Sequence, residues 1–222
     1  MSRIKDTHTI LCQSPSLFLT ALRAYERSRT ETSPPRDSAL VSIVFSAASL
    51  EAFINEVAAF AELTSTMANV STPKMNTLAD LQSELEESRA SVKSKFIMAK
   101  WVLSGAPIDK GSAMFQDFTA LMDLRNELVH MKGLSESHVR DQQPEFHEPK
   151  ALNRLKAKKL VAQHPGDICW SDIIRTPECA LWACDAATTI VVNILDDFPT
   201  DEYWATIKKS YEDPFLTHLE RI

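Results

Sequence analysis

The chain has 222 residues, of which 44% are hydrophobic and 24% charged, and its formal net charge is −6 at neutral pH. That composition excludes disorder as the main state and predicts one folded domain over 1–222. The acidic balance excludes a uniformly basic surface that coats nucleic acid, while leaving room for a small local site.

Apolar side chains at helical spacing over 16–28 follow Ser14-Pro15, a helix start. The consecutive prolines of "TSPPRD" (32–37) impose a turn. Residues 38–63 then make about seven turns, apolar on most of the circumference, as in a helix buried at the centre of a bundle. A loop occupies 64–76, and its Asn69-Val70-Ser71 sequon reads as a chance match. Over 77–103, Leu78, Leu85, Val92 and Ala99 recur on one side with Leu81, Phe96 and Leu103. This predicts one outer helix with a solvated face. "SGAPIDKG" (104–111) breaks it, and a fourth helix over 112–132 is expected to stop at Gly133, a good C-cap residue. Residues 133–175 read as an insertion, irregular over 133–148 and holding a short basic helix at 150–160. Thr176, Pro177 and Glu178 suit the N-cap, first position and first turn of a mostly apolar helix over 176–198. The tail, 199–222, carries one short helix around 201–211 that ends before Pro214.

The sum is an all-α bundle of four to five long helices, with the insertion before the last core helix. Only four glycines fit that class, since sandwiches and barrels consume glycine in tight turns. No glycine-rich phosphate loop of either common type is present, which removes P-loop and dinucleotide readings. Cys12, Cys169, Cys179 and Cys184 form no C-x-x-C pair and have no histidine at zinc-finger spacing. They read as scattered buried thiols in a reducing compartment, with no metal and no cofactor. "MSRIKDTHTI" lacks a signal-peptide core, and the apolar stretches 39–50 and 186–195 read as too short or too interrupted by charge to span a bilayer. The expectation is a cytoplasmic protein without membrane contact.

One stretch carries chemistry. In "LRNELVH" (124–130), Arg125 falls near the middle of an apolar arc formed by Met114, Phe115, Phe118, Leu121, Met122, Leu128 and Val129. An unpaired buried guanidinium is costly, so Arg125 needs a partner, and Glu51 of the central helix is the nearest candidate in the pattern. Asn126 and His130, four apart, share the flank of the arc at roughly 40° from one another. Arginine has the reach to bring its guanidinium to that flank. His130 lies in the last turn, where the helix dipole favours its cationic form. An imidazole that moves a proton at a 2′-hydroxyl or a leaving 5′-oxygen, beside a guanidinium that holds phosphoryl oxygens, suits metal-free RNA cleavage. One histidine is thin for both proton transfers, and a symmetric dimer would supply a second.

"RNELVH" (125–130) resembles the R-x4-6-H motif of HEPN domains, including the polar residue that commonly follows the arginine. "SAASLEAFINE" (46–56) is similar to the long early helix of many members, with its Leu-Glu and Asn in an apolar run. The topological resemblance spans 15–200; the insertion at 133–175 and the C-terminal tail have no counterpart. The resemblance implies an all-helical bundle acting as a metal-independent endoribonuclease, a homodimer whose paired motifs form one cleft on RNA. Arg125, Asn126 and His130 would carry catalysis. Many such proteins are toxins with a cognate antitoxin, or antiviral effectors; others are inactive and serve as protein- or nucleotide-binding modules, which is the alternative reading.

Glu51, Asn55 and Glu62 make a polar stripe on the central helix, a solvent or dimer face in the plain reading. In the functional reading Glu51 or Asn55 positions Arg125 or contacts substrate. The basic run "RLKAKKL" (154–160) is a solvated face or else a local RNA-phosphate track. His138, His147 and His164 read as surface residues.

Overall fold

The computed structural model describes residues 10–32, 36–67, 70, 72–130, 148–162 and 169–216. Among these are nine helices and no strand, so the all-α expectation holds. They are α1 (Ser14–Thr30), α2 (Asp37–Ser65), α3 (Pro73–Glu87), α4 (Val92–Ser104), α5 (Ala113–Val129), α6 (Lys150–Ala157), α7 (Trp170–Ile173), α8 (Pro177–Leu195) and α9 (Glu202–Leu216).

The 29-residue α2 is the axis of the bundle and touches α1, α3, α4, α5 and α8. Ile43, Leu50, Phe53, Ile54 and Val57 are wholly buried along it. Small residues let α8 approach closely: Ser42 and Ser46 hydroxyls lie 3.4 and 3.6 Å from the Cys184 sulfur. Burial there pushes the Cys184 thiol up to about 11, leaving it a packed, unreactive group. By length and hydropathy α2 and α8 are both long and apolar enough to cross a membrane, which corrects the reading of 39–50 and 186–195 as too short. That reading missed how far helix continues beyond each stretch. Within the bundle, 56% and 67% of their most apolar windows are buried against neighbouring helices.

A buried carboxylate closes the bundle. Glu56 of α2, 7% exposed, accepts hydrogen bonds from the backbone N–H groups of Gln13 (2.5 Å) and Ser14 (2.9 Å) at the start of α1. Those donors have no partner within their own helix, and a negative charge at a helix N-terminus is favourable. The other Glu56 oxygen accepts from the Tyr211 hydroxyl of α9 at 2.7 Å. Phe215, one turn further, stacks on Phe18 of α1 with ring centroids 4.1 Å apart.

The structure splits the single helix expected over 77–103 into α3 and α4. Arg89 adopts φ 54°, the left-handed region, and the Ala90 N–H reaches the Leu85 carbonyl while the Arg89 N–H reaches that of Glu86. This is the Schellman arrangement that ends helices. It was illegible because an arginine fills the place glycine usually takes. Ser91 then caps α4 by accepting from the Ser94 N–H at 3.1 Å. The two helices fold back antiparallel, with Lys74 of α3 donating to the Leu103 carbonyl of α4 at 2.6 Å.

The fourth predicted helix is α5; it ends at Val129 with His130 as C-cap, and Gly133 lies outside the described residues. So does most of the expected irregular insertion, 131–147 and 163–168. Within the rest of it stand the basic helix, α6, and the short α7, which has no periodic signal at four residues. Asp117 of α5 locks α6 in place, accepting from Arg154 Nε (2.6 Å), Lys158 Nζ (2.9 Å) and Trp182 Nε1 of α8 (2.9 Å). Burial by itself would push the Asp117 carboxyl up; hydrogen bonds from Arg154, Trp182 and Lys158 outweigh it and hold the group below the usual carboxylate range.

The tail helix runs through Pro214, which the sequence reading took as its end. The ring removes one N–H from the helix, and the wholly buried Phe215 that follows it offsets part of that cost.

Three outcomes follow from this packing. Glu56→Ala should lower the unfolding free energy by about 3 kcal/mol and Tyr211→Phe by about 1 kcal/mol, measured by urea denaturation. Arg89→Gly should raise stability by about 0.5–1 kcal/mol, because it relieves a left-handed non-glycine residue at a site that keeps its hydrogen bonds. Asp117 has a folded pKa below its unfolded one, so its contribution is present above about pH 4 and lost as pH falls through the folded value. The stability gap between the wild type and Asp117→Asn should accordingly shrink on acidification below that point, read from denaturation midpoints across pH.

Candidate functional site

The site begins with how α5 is seated. Ser112 caps it, and Phe115, Phe118, Leu121, Met122 and Leu124 are buried in the core, which fixes the rotation of the helix. Arg125 therefore emerges at the junction of α5 and α2, with its side chain 25% exposed. Its Nη2 donates to Glu51 Oε2 at 2.9 Å and its Nη1 donates to Asn126 Oδ1 at 3.1 Å. The guanidinium so satisfied is neither free nor lost in the core. Three of the five residues singled out in the sequence, Arg125, Asn126 and Glu51, are in direct contact.

His130 is exposed at the C-cap of α5, and its backbone N–H donates to the Asn126 carbonyl at 2.9 Å. The imidazole thus leaves the helix at its carbonyl end, where the unpaired backbone dipoles face a cation or a proton donor. One helix end consequently carries a fork oriented by two acceptors, an exposed amide and an exposed imidazole. Guanidinium donors beyond the two in use remain to meet an anion, which would have to compete with Glu51. The apolar arc is narrower than the wheel predicted: Leu128 is half-buried and Val129 is 53% exposed, beside His130.

Asn55 does not join this group. Its Oδ1 accepts from Lys95 Nζ of α4 at 3.0 Å, and the same ammonium pairs with Glu86 of α3. Since Glu51 and Asn55 are one turn apart on α2, the polar stripe is shared between two neighbours, α5 at one step and α4 at the next. Lys95, only 7% exposed, is the polar residue that sequence reasoning missed. It sits on a helix that the sequence merged with its predecessor, so no pattern brought it near Asn55.

The basic run over 154–160 is largely committed elsewhere. Arg154 and Lys158 serve Asp117, and Lys156 pairs with Glu148 at 2.6 Å. Three of its four charges are met by carboxylates, so the run fastens α6 to α5. His138, His147 and His164 lie outside the described residues. Among the described residues no three of histidine, cysteine, aspartate and glutamate are arranged to hold a metal. Compared with protein-family models, curated proteins and solved structures, the chain matches none.

Proposed function

We propose that this protein is a HEPN-like, metal-independent endoribonuclease that acts as a symmetric homodimer in the cytoplasm, in the manner of a toxin or antiviral effector. The observation that carries the reading is the Arg125 fork, oriented by Glu51 and Asn126 at the helix end that also presents the exposed His130.

In this reading the 2′-oxygen of a ribose attacks the adjacent phosphorus and the bond from phosphorus to the 5′-oxygen breaks. The products are a cyclic phosphate and a 5′-hydroxyl. One His130 takes the 2′ proton and the partner's copy of this imidazole gives a proton to the leaving oxygen. Arg125 meets the charge that grows on the phosphoryl oxygens, and Asn126 orients the phosphate or the ring. Glu51 is a positioning residue that sets the guanidinium before substrate arrives.

The second reading is a non-catalytic HEPN-like module that binds a partner protein or a nucleotide. The Glu51–Arg125 pair favours it, because the arginine's charge is already met within the chain.

Total RNA incubated with the purified protein in EDTA separates the two. Cleavage leaving cyclic phosphate ends is expected, falling by about 10²–10⁴-fold in His130→Ala. Arg125→Ala should lose cleavage and any toxicity on expression. Wild type and His130→Ala cutting equally, or wild type failing to cut at high concentration, would sink the nuclease reading.

A further inference from the structure

Glu51 meets the Arg125 guanidinium where a substrate phosphate would need it. A guanidinium grips an anion at two points either end-on, through both terminal nitrogens, or side-on, through Nε and Nη2. Nη2 belongs to both edges, and it is the nitrogen that donates to Glu51 Oε2 at 2.9 Å. A phosphate held at two points therefore shares Nη2 with the carboxylate or removes it. Sharing sets two anions within roughly 5 Å of each other, where their repulsion works against the grip. Nη1 presents no such conflict, because its partner, Asn126 Oδ1 at 3.1 Å, is neutral.

The carboxylate is also able to leave. With the Glu51 side chain 40% exposed, it can turn into water without stranding a buried charge. Among the described residues Arg125 is its only partner, so no second contact holds it back. An ion pair as open as this adds little to the stability of the fold and yields to a competitor. On the reading of Arg125 as a phosphate clamp, we infer that Glu51 is an autoinhibitory contact: its carboxylate occupies the clamp in the free protein and swings out before a phosphodiester is held at two points. Glu51 thus first fixes the direction of the fork and then gives it up.

Fluorescence anisotropy of a labelled 2′-O-methyl oligoribonucleotide with the full chain tests this, since the probe has the phosphodiesters of RNA but no free 2′-hydroxyl to react. Glu51→Gln keeps the shape of the side chain and an acceptor oxygen while removing the charge, and should tighten binding by about tenfold. Glu127→Gln is the control. Glu127 is exposed on the same helix, two positions from Arg125, and pairs with no described residue. Its replacement changes the net charge equally and should tighten binding by no more than about twofold, because an exposed charge outside the clamp is screened. With Arg125→Ala in place, Glu51→Gln should do no more than Glu127→Gln, since the contact it relieves is gone. An equal gain from the two glutamine variants, no gain in Glu51→Gln, a full gain without Arg125, or no binding by any variant would each overturn the inference. Wild type and Arg125→Ala binding equally would overturn both the clamp and the contact. Tightening in Glu51→Gln by a protein that never cleaves RNA supports the contact while the nuclease reading fails.

Discussion

The bundle depends on a buried carboxylate that the chain's own donors satisfy. Glu56 sits on the longest helix, and its oxygens are met by two backbone N–H groups of α1 and the hydroxyl of Tyr211. Each partner would itself be costly if left alone: the N–H groups because a helix start has no internal acceptors, the hydroxyl because it is buried. Joined, they tie the first, second and last helices of the described chain at one point. The stacking of Phe18 on Phe215 and the edge-to-face contact of Phe53 with Tyr211 then fill the space around it.

From that point α2 distributes polar contacts to its other neighbours. Glu51 holds Arg125 of α5, Asn55 holds Lys95 of α4, and Glu62 opens on a cleft beside α3. An apolar helix interrupted by single polar residues at turn spacing can hold several partners in register, because each interruption is satisfied by a different one. The candidate chemistry inherits its geometry from this scheme. Arg125 is oriented not by its own helix alone but by a carboxylate 74 positions earlier in the chain.

How far this was legible differs from residue to residue. The 3.6-residue period of α1, α2 and α8, with Thr176 and Pro177 at the start of the last, identified those helices because apolar faces and caps are local properties. The break between α3 and α4 was not legible, since Arg89 and Ser88 carry no breaker signal and the heptad pattern runs through both helices. Pro214 misled in the opposite sense: α9 runs through it with Phe215 wholly buried on the far side, and a proline alone does not report what lies beyond it. For the site, Arg125, Asn126 and Glu51 were found from one misplaced charge and its need for a partner. Asn55, offered with Glu51 as a partner of Arg125 or a substrate contact, pairs instead with Lys95.

By itself, then, the sequence determined the helical class, the centrality of α2 and the placing of Arg125, Asn126 and His130 at one helix end, because these rest on period, propensity and spacing within one helix. Tertiary structure decided the rest. It chose Glu56 as the cap of α1, handed Asn55 to Lys95, and set Arg154 and Lys158 against Asp117. These are pairings between groups distant in the chain. A buried polar group requires a partner but does not specify which one, and only the packing of whole helices brings a particular pair within reach.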